Sequence, residues 1–207
     1  MKKITLLLAA VLVLSACAKE EKNHVQFAGK ISQITPSDSI LSVRSSTFSK
    51  DIILQQDGSF KDTLNVKEAG YYTLAINGSN VGFTFLRNGY DVQLTAEKNT
   101  FFETAIFTGK GANTINYAIA QNKLGRSFGD PRGMFALEKD LFSEKINTMK
   151  SSFDSLKEAF VAIDTMLIRT NDQRNKEFFS MLEKNYERQH EIAKQQQEAQ
   201  LKLQKGK

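Results

Sequence analysis

Residues 71–94 read "YYTLAINGSNVGFTFLRNGYDVQL". Tyr72, Leu74 and Ile76 share one parity, as do Val81, Phe83 and Phe85, and then Tyr90, Val92 and Leu94. A period of two is the side-chain period of a β-strand rather than of a helix. Asn77-Gly78 and Asn88-Gly89 interrupt the alternation. Asn-Gly is the dipeptide favoured in type I′ turns, whose two central residues need φ > 0. The stretch therefore predicts three strands joined by two tight hairpins.

The same grammar extends upstream. "DIILQQDGSFKDTLNV" (51–66) places Asp57-Gly58 between two strand-like segments, and Leu64 and Val66 share a face. Val25 and Phe27 alternate with polar neighbours in a strand over 25–34. Ile40, Leu41 and Val43 mark another over 40–45, and a further strand falls at 104–108. About seven strands in such a short span predict a small antiparallel β-sandwich or a partly open barrel. Phe83, Phe85, Tyr90, Phe101, Phe102 and Phe107 are expected in its core rather than on a binding face.

Downstream the period changes. Gly109-Lys110-Gly111 reads as a strand-to-helix bend, with Asn113 or Thr114 capping a helix to about Leu124, and "GRSFGDPRG" (125–133) reads as a loop. Phe142, Ile146, Met149, Phe153, Leu156, Phe160, Ile163 and Leu167 then recur at alternating spacings of four and three, a heptad stripe. Asn171-Asp172 offers a cap for a last helix whose apolar face begins with Phe178, Phe179, Leu182 and Tyr186. Beyond Ile192 the polar, Gln-rich "AKQQQEAQLKLQKGK" has no strong stripe. The expected fold class is α+β: a sandwich over 24–111, then a helical region over 112–207 that forms an antiparallel hairpin with a long C-terminal helix.

The chain begins "MKKITLLLAAVLVLSAC". Two lysines precede a short apolar stretch, too short to span a bilayer core that needs roughly 20 apolar residues. That is the pattern of a secretory signal peptide, expected over 1–16. Leu14-Ser15-Ala16-Cys17 resembles the bacterial lipobox, in which the cysteine thiol is acylated after cleavage. Two or three acyl chains, at about 0.8 kcal/mol per buried CH₂, anchor durably without spanning. Cys17 is thus the expected lipid-attachment residue, followed by a tether over 17–23. No Asp stands at position 18 as an inner-membrane retention signal, which points to the outer membrane. Lys19-Glu20-Glu21 resembles the surface-export signal of Bacteroidota lipoproteins, although a plain solvated tether reads the same way.

Cys17 is the only cysteine, so once acylated it leaves no thiol for a disulfide or a metal site. The net charge of +5 falls to +3 when Lys2 and Lys3 leave with the signal peptide, too little to imply nucleic acid. His24 and His190 lie far apart with no partner at metal-ligand spacing. Glu183 and Glu187 sit one helical turn apart on a charged face, without the pocket that acid–base work requires. No catalytic residue, metal or cofactor is expected.

One resemblance rests on two segments. "FLRNGY" contributes Phe85, Leu86, Asn88, Gly89 and Tyr90, with Leu94 beyond it. "FTGKGANTINY" contributes Phe107, Gly109, Gly111, Ala112, Asn116 and Tyr117. Together they resemble the N-terminal β-domain of Bacteroidota TlpA/ResA-type lipoprotein thiol–disulfide oxidoreductases, and the helical segment with the closing "LKLQKGK" resembles the connector of that family. In that family the connector leads to a thioredoxin-like domain with a C-x-x-C pair, which this sequence lacks, so the resemblance carries over no redox residue. It implies a lipid-anchored envelope module that positions or binds a partner. The alternatives are a truncated or split oxidoreductase of that family and an envelope ligand-binding lipoprotein. An open aromatic or polar pocket would favour the last; a closed Phe-rich core in the β-domain would count against it.

Overall fold

The computed structural model describes residues 22–205; the expected signal peptide, Cys17 and most of the expected tether lie outside them. In line with the expected seven or so, eight strands among the described residues form two four-stranded sheets. They are β1 (Val25–Ser32), β2 (Ile40–Arg44), β3 (Ser49–Ile53), β4 (Ser59–Leu64), β5 (Gly70–Ile76), β6 (Ser79–Leu86), β7 (Asp91–Glu97) and β8 (Ile106–Lys110). One sheet has the order β4-β1-β7-β8, the other β3-β2-β5-β6. The chain is α+β, a two-sheet sandwich followed by helices.

The antiparallel expectation holds for every pairing but one. β1 and β7 run parallel, with Phe27 opposite Val92 and Ile31 opposite Ala96. Inner-face residues from both sheets are fully buried, among them Val25, Phe27, Ile31, Leu41, Val43, Leu74 and Leu94. Phe27 stacks with Phe107 at 6.4 Å and meets Phe60 edge-on at 5.0 Å, so the interior between the sheets is closed and Phe-rich.

Only one of the three expected hairpin turns is a hairpin of the predicted kind. Asn77 (φ 46) and Gly78 (φ 82) both take positive φ and join β5 to β6 within one sheet. At the other two turns only the glycine does so. Gly58 closes a turn on the Gln55 carbonyl and passes the chain from β3 in one sheet to β4 in the other. Asn88-Gly89 likewise sends β6 across to β7, and the Asn88 amide braces that corner by donating to the Val66 carbonyl at 2.9 Å. Turn chemistry is local; it does not encode which sheet the next strand joins.

After a single turn, α1 (Phe101–Thr104), β8 returns along the sheet edge and α2 (Ala112–Ser127) begins at Gly111. Neither Asn113 nor Thr114 caps α2: the Asn113 amide donates to the Val161 carbonyl, and the Thr114 hydroxyl accepts from the Asp164 amide. The start of α2 is instead fixed by Gly111, whose φ of +100 and approach to Tyr90 exclude a side chain. Asn116 then turns back to hold the edge strand. Its Nδ2 donates to the Phe107 carbonyl at 2.8 Å and its Oδ1 accepts the Phe107 amide at 2.9 Å, as a neighbouring strand would.

Replacing Gly111 by alanine is expected to destabilise the protein by roughly 2–3 kcal/mol, because the new Cβ takes a strained φ and overpacks a ring. That Cβ would lie 2.4 Å from Tyr90 ring atoms. Gly125, inside α2 with open space around it, is the contrasting site. There alanine should stabilise by up to about 1 kcal/mol. Thermal unfolding of the two variants checks both signs.

The segment 125–133 is only partly a loop, since α2 runs to Ser127 and a 3-10 helix (Pro131–Ala136) follows. The expected hairpin forms from α3 (Lys139–Glu158) and α4 (Thr165–Lys205), with Phe142, Ile146 and Met149 packed against Phe179, Leu182 and Tyr186. The heptad stripe does not lie on one helix, however. α3 ends at Glu158, and Phe160 and Ile163 sit in the connection, where they join the sandwich core. α4 also starts earlier than Asn171-Asp172. Asp164 precedes it and accepts the Met166 amide at 2.8 Å, the bond of an N-cap. Its 41 residues span about 60 Å.

His24 and His190 stay far apart: the His24 carbonyl accepts from Gly89, and His190 lies over Tyr186 with its ring 3.1 Å from the Phe135 carbonyl. Glu183 pairs with Lys150 at 2.9 Å. No helix among the described residues is long and apolar enough to cross a membrane.

Candidate functional site: a groove between sheet and helices

Paired residues share a face of a sheet and neighbours along a strand do not. Tyr71 is opposite Phe85 and Thr73 opposite Phe83, so these side chains lie on the face away from Tyr72 and Leu74. That outer face is aromatic because helices cover it. Tyr71 contacts Phe83 and Phe85 edge-on at 5.4 and 5.8 Å, and α2 buries Ile115, Tyr117, Ala118 and Ile119 nearby. The core is therefore continuous across the sandwich–helix boundary.

A directed chain of hydrogen bonds stitches this junction. The Tyr71 hydroxyl donates to Asn171 Oδ1 at 2.9 Å, Asn171 Nδ2 donates to Gln121 Oε1, and Gln121 Nε2 donates to the Tyr117 hydroxyl at 2.7 Å. Asn171 is buried, and Tyr117 fully so. Burial pushes the Tyr117 phenol up to about 12, with the nearby Asp172 carboxylate adding to the effect. Tyr71 is also raised by burial, partly offset by its bond to Asn171 and by Arg174. Burial keeps both phenols protonated, and the Tyr71 proton is the one its donation to Asn171 requires.

Beyond this chain the sheet and helices part to leave a groove. Its walls are Tyr71, Phe83, Phe153 and Phe178, and its polar lining comes from Gln121, Asn122, Asn171 and Asn175. Its only charged lining residues are Arg126 and Arg174. The Arg126 guanidinium lies 4.4 Å over the Phe102 ring and that of Arg174 lies 5.8 Å from the Tyr71 ring. Neither has an ion-pair partner among the described residues. The Asn122 Oδ1 is buried with no hydrogen-bond partner among them. Stacked guanidiniums present planar donors suited to carboxylate or phosphate, while side-chain amides match peptide groups. The groove can thus hold an acidic segment that also carries an apolar group.

No protein-family model, curated protein or solved structure matches this chain.

Of the six aromatic residues expected in the core, Phe85, Tyr90, Phe101 and Phe107 are buried there. Phe83 and Phe102 are half-buried, because they face the helices where cover is incomplete. Sequence reasoning missed the groove, since Arg126 fell in a supposed loop and Arg174 in a helix surface. One signal was available: Tyr71 and Tyr72 in succession make both faces of β5 aromatic, which happens when a sheet is covered on both sides. The residues of the "FLRNGY" and "FTGKGAN" segments act as structure here, through the Asn88 brace, the Gly109 and Gly111 bends and the Asn116 clamp.

Proposed function

We propose that the chain is a non-catalytic envelope module, anchored to the outer membrane by lipid on Cys17, that binds a protein partner in the groove between β5–β6 and the helices. The lipobox sequence supports the location. The observation that carries the binding is the pair of arginines, Arg126 over Phe102 and Arg174 5.8 Å from the Tyr71 ring, neither with a carboxylate partner among the described residues, in a groove with no acidic residue in its described lining. A free-standing structural groove has no need of two such cations; an acidic partner segment does. The closed, Phe-rich interior of the sandwich counts against the alternative of an envelope lipoprotein that takes a small ligand inside its β-domain.

The test places a photo-crosslinking benzophenone residue at Asn175 in living cells. The expected result is a discrete adduct with an envelope protein, lost when Arg126 and Arg174 are both changed to glutamate. No adduct, or one indifferent to the two charges, contradicts the reading.

The resemblance carried by Asn88, Gly89, Gly111 and Asn116 favours a second reading. There the chain is the positioning half of a split or longer TlpA/ResA-type thiol–disulfide oxidoreductase, and the exchange chemistry belongs to a thioredoxin-like domain. DNA immediately downstream that encodes such a domain would support it.

A further inference from the structure

One end of the sandwich gathers the features of a surface that rests on lipid. The start of β1, the Asn88-Gly89 corner, the β8–α2 bend and the α3–α4 connection all meet there. Gly89 donates to the His24 carbonyl, Lys110 lies beside Gly89, Asn113 reaches the Val161 carbonyl, and Arg87 pairs with Asp164 at 2.8 Å. Lys67 and Arg169 flank Arg87 and Asn88 on the same end. Lys67, Lys110 and Arg169 are exposed and have no ion-pair partner among the described residues. Val161 (71 % exposed) and Met166 (47 %) stand among them as apolar side chains open to solvent.

Chain length brings this end to the anchor. Five peptide units separate Cys17 from Lys22, which fully extended reach about 18 Å. Lys22 itself is tied to Asp91 at 3.4 Å, with its carbonyl near Gly89. A tether of that reach holds this end, where Lys22 enters the fold, close to the anchor. We infer that this end, with Val161 and Met166 directed at the lipid and Lys67, Lys110 and Arg169 around them, docks on an anionic headgroup surface as a second membrane contact beside the acyl chains. The inference rests on the lipidation of Cys17. Glu68 beside Lys67, and Glu20 and Glu21 in the tether, oppose the attraction, so the contact is modest and salt-sensitive. Docking would leave the groove clear of the lipid: α4 starts at this end, and Arg174 lies nine residues along it, roughly 13 Å further.

The test uses the lipidated full chain in vesicles of equimolar phosphatidylglycerol and phosphatidylcholine that carry a headgroup nitroxide. A fluorophore is attached to Val161→Cys or, in a separate protein, to Ile192→Cys on the exposed distal part of α4. Quenching is expected to be several-fold stronger at position 161 than at 192. Changing Lys67, Lys110 and Arg169 together to glutamate should bring it down to the level at 192, with the unfolding temperature of that variant confirming the fold. Equal quenching at both positions, or strong quenching that survives the triple change, would overturn the docking. The intact mass of the same preparation separates the two layers. A mass without acyl chains overturns the anchor and the docking with it, whereas an acylated mass with equal quenching overturns the docking alone.

Discussion

Replacing Asn171 by alanine is expected to lower the unfolding free energy by about 3 kcal/mol, read as a shift of the urea midpoint at constant slope. The side chain is buried and bonds at both ends of its amide, to the Tyr71 hydroxyl and to Gln121. Truncation leaves a buried donor and a buried acceptor without partners and opens a void where α4 meets α2. Tyr71→Phe removes one hydroxyl and should cost only about 1 kcal/mol. Gln121→Ala combined with Asn171→Ala should cost clearly less than the sum of the two, because the second change acts on a chain already broken. Strict additivity would show that these groups do not act as a unit. A midpoint shift of Asn171→Ala no larger than that of an exposed α4 residue would remove the junction as a source of stability.

The second large effect is expected at Asp164, which links three elements at the α3–α4 connection. Its side chain is 3 % exposed and accepts from Arg87 at 2.8 Å, while one oxygen caps α4 through the Met166 amide. Losing the cap and a charge-assisted bond together predicts a cost of about 2–3 kcal/mol for Asp164→Ala at neutral pH. The pH dependence supplies a sharper check. Burial alone would raise the Asp164 pKa, but the Arg87 bond and the amides of Met166 and Leu167 outweigh it and hold the carboxyl below 3.8. A folded pKa below the unfolded one means the stabilisation is complete above the unfolded value and is lost as pH falls through the folded value. The parent and Asp164→Ala curves should run parallel at neutral pH and converge in acid below about pH 3.8. Convergence at alkaline pH instead would assign the effect to another group.

Strand positions were legible because alternation is a local property, and residues 71–94 show it without ambiguity. Sheet membership was not. Asp57-Gly58 and Asn88-Gly89 carry the same turn chemistry as Asn77-Gly78, yet they pass the chain between sheets. Pairing is decided by contacts far along the chain, such as the parallel match of β1 with β7. The helical region shows the same limit. The heptad from Phe142 to Leu167 continues unbroken through a non-helical connection, because Phe160 and Ile163 are apolar for the sake of the sandwich core, not of a helix partner. Asn171 looked like a helix cap since Asn caps helices, whereas its amide satisfies a buried junction. The groove depends on two arginines 48 positions apart that only the packing of α2 beside α4 brings together.

The residues on which the resemblance to TlpA/ResA-type proteins was read hold corners and edges of this fold, through the Asn88 brace, the Gly111 bend and the Asn116 clamp. The feature suited to binding lies elsewhere, in a groove whose described lining carries two arginines and no acid. In the proposed reading the module is held at the membrane by its N-terminus and takes a partner along its side, and the anchor is the part on which the rest of the proposal depends.

The most direct measurement is therefore the partition of the full-length chain between membrane and soluble envelope fractions, with and without Cys17→Ser, together with the mass of the mature N-terminus. The account predicts a membrane-bound parent that begins at an acylated Cys17 and a serine variant that leaves the membrane pool. An unmodified Cys17, or a serine variant that fractionates with the membrane as the parent does, would contradict it.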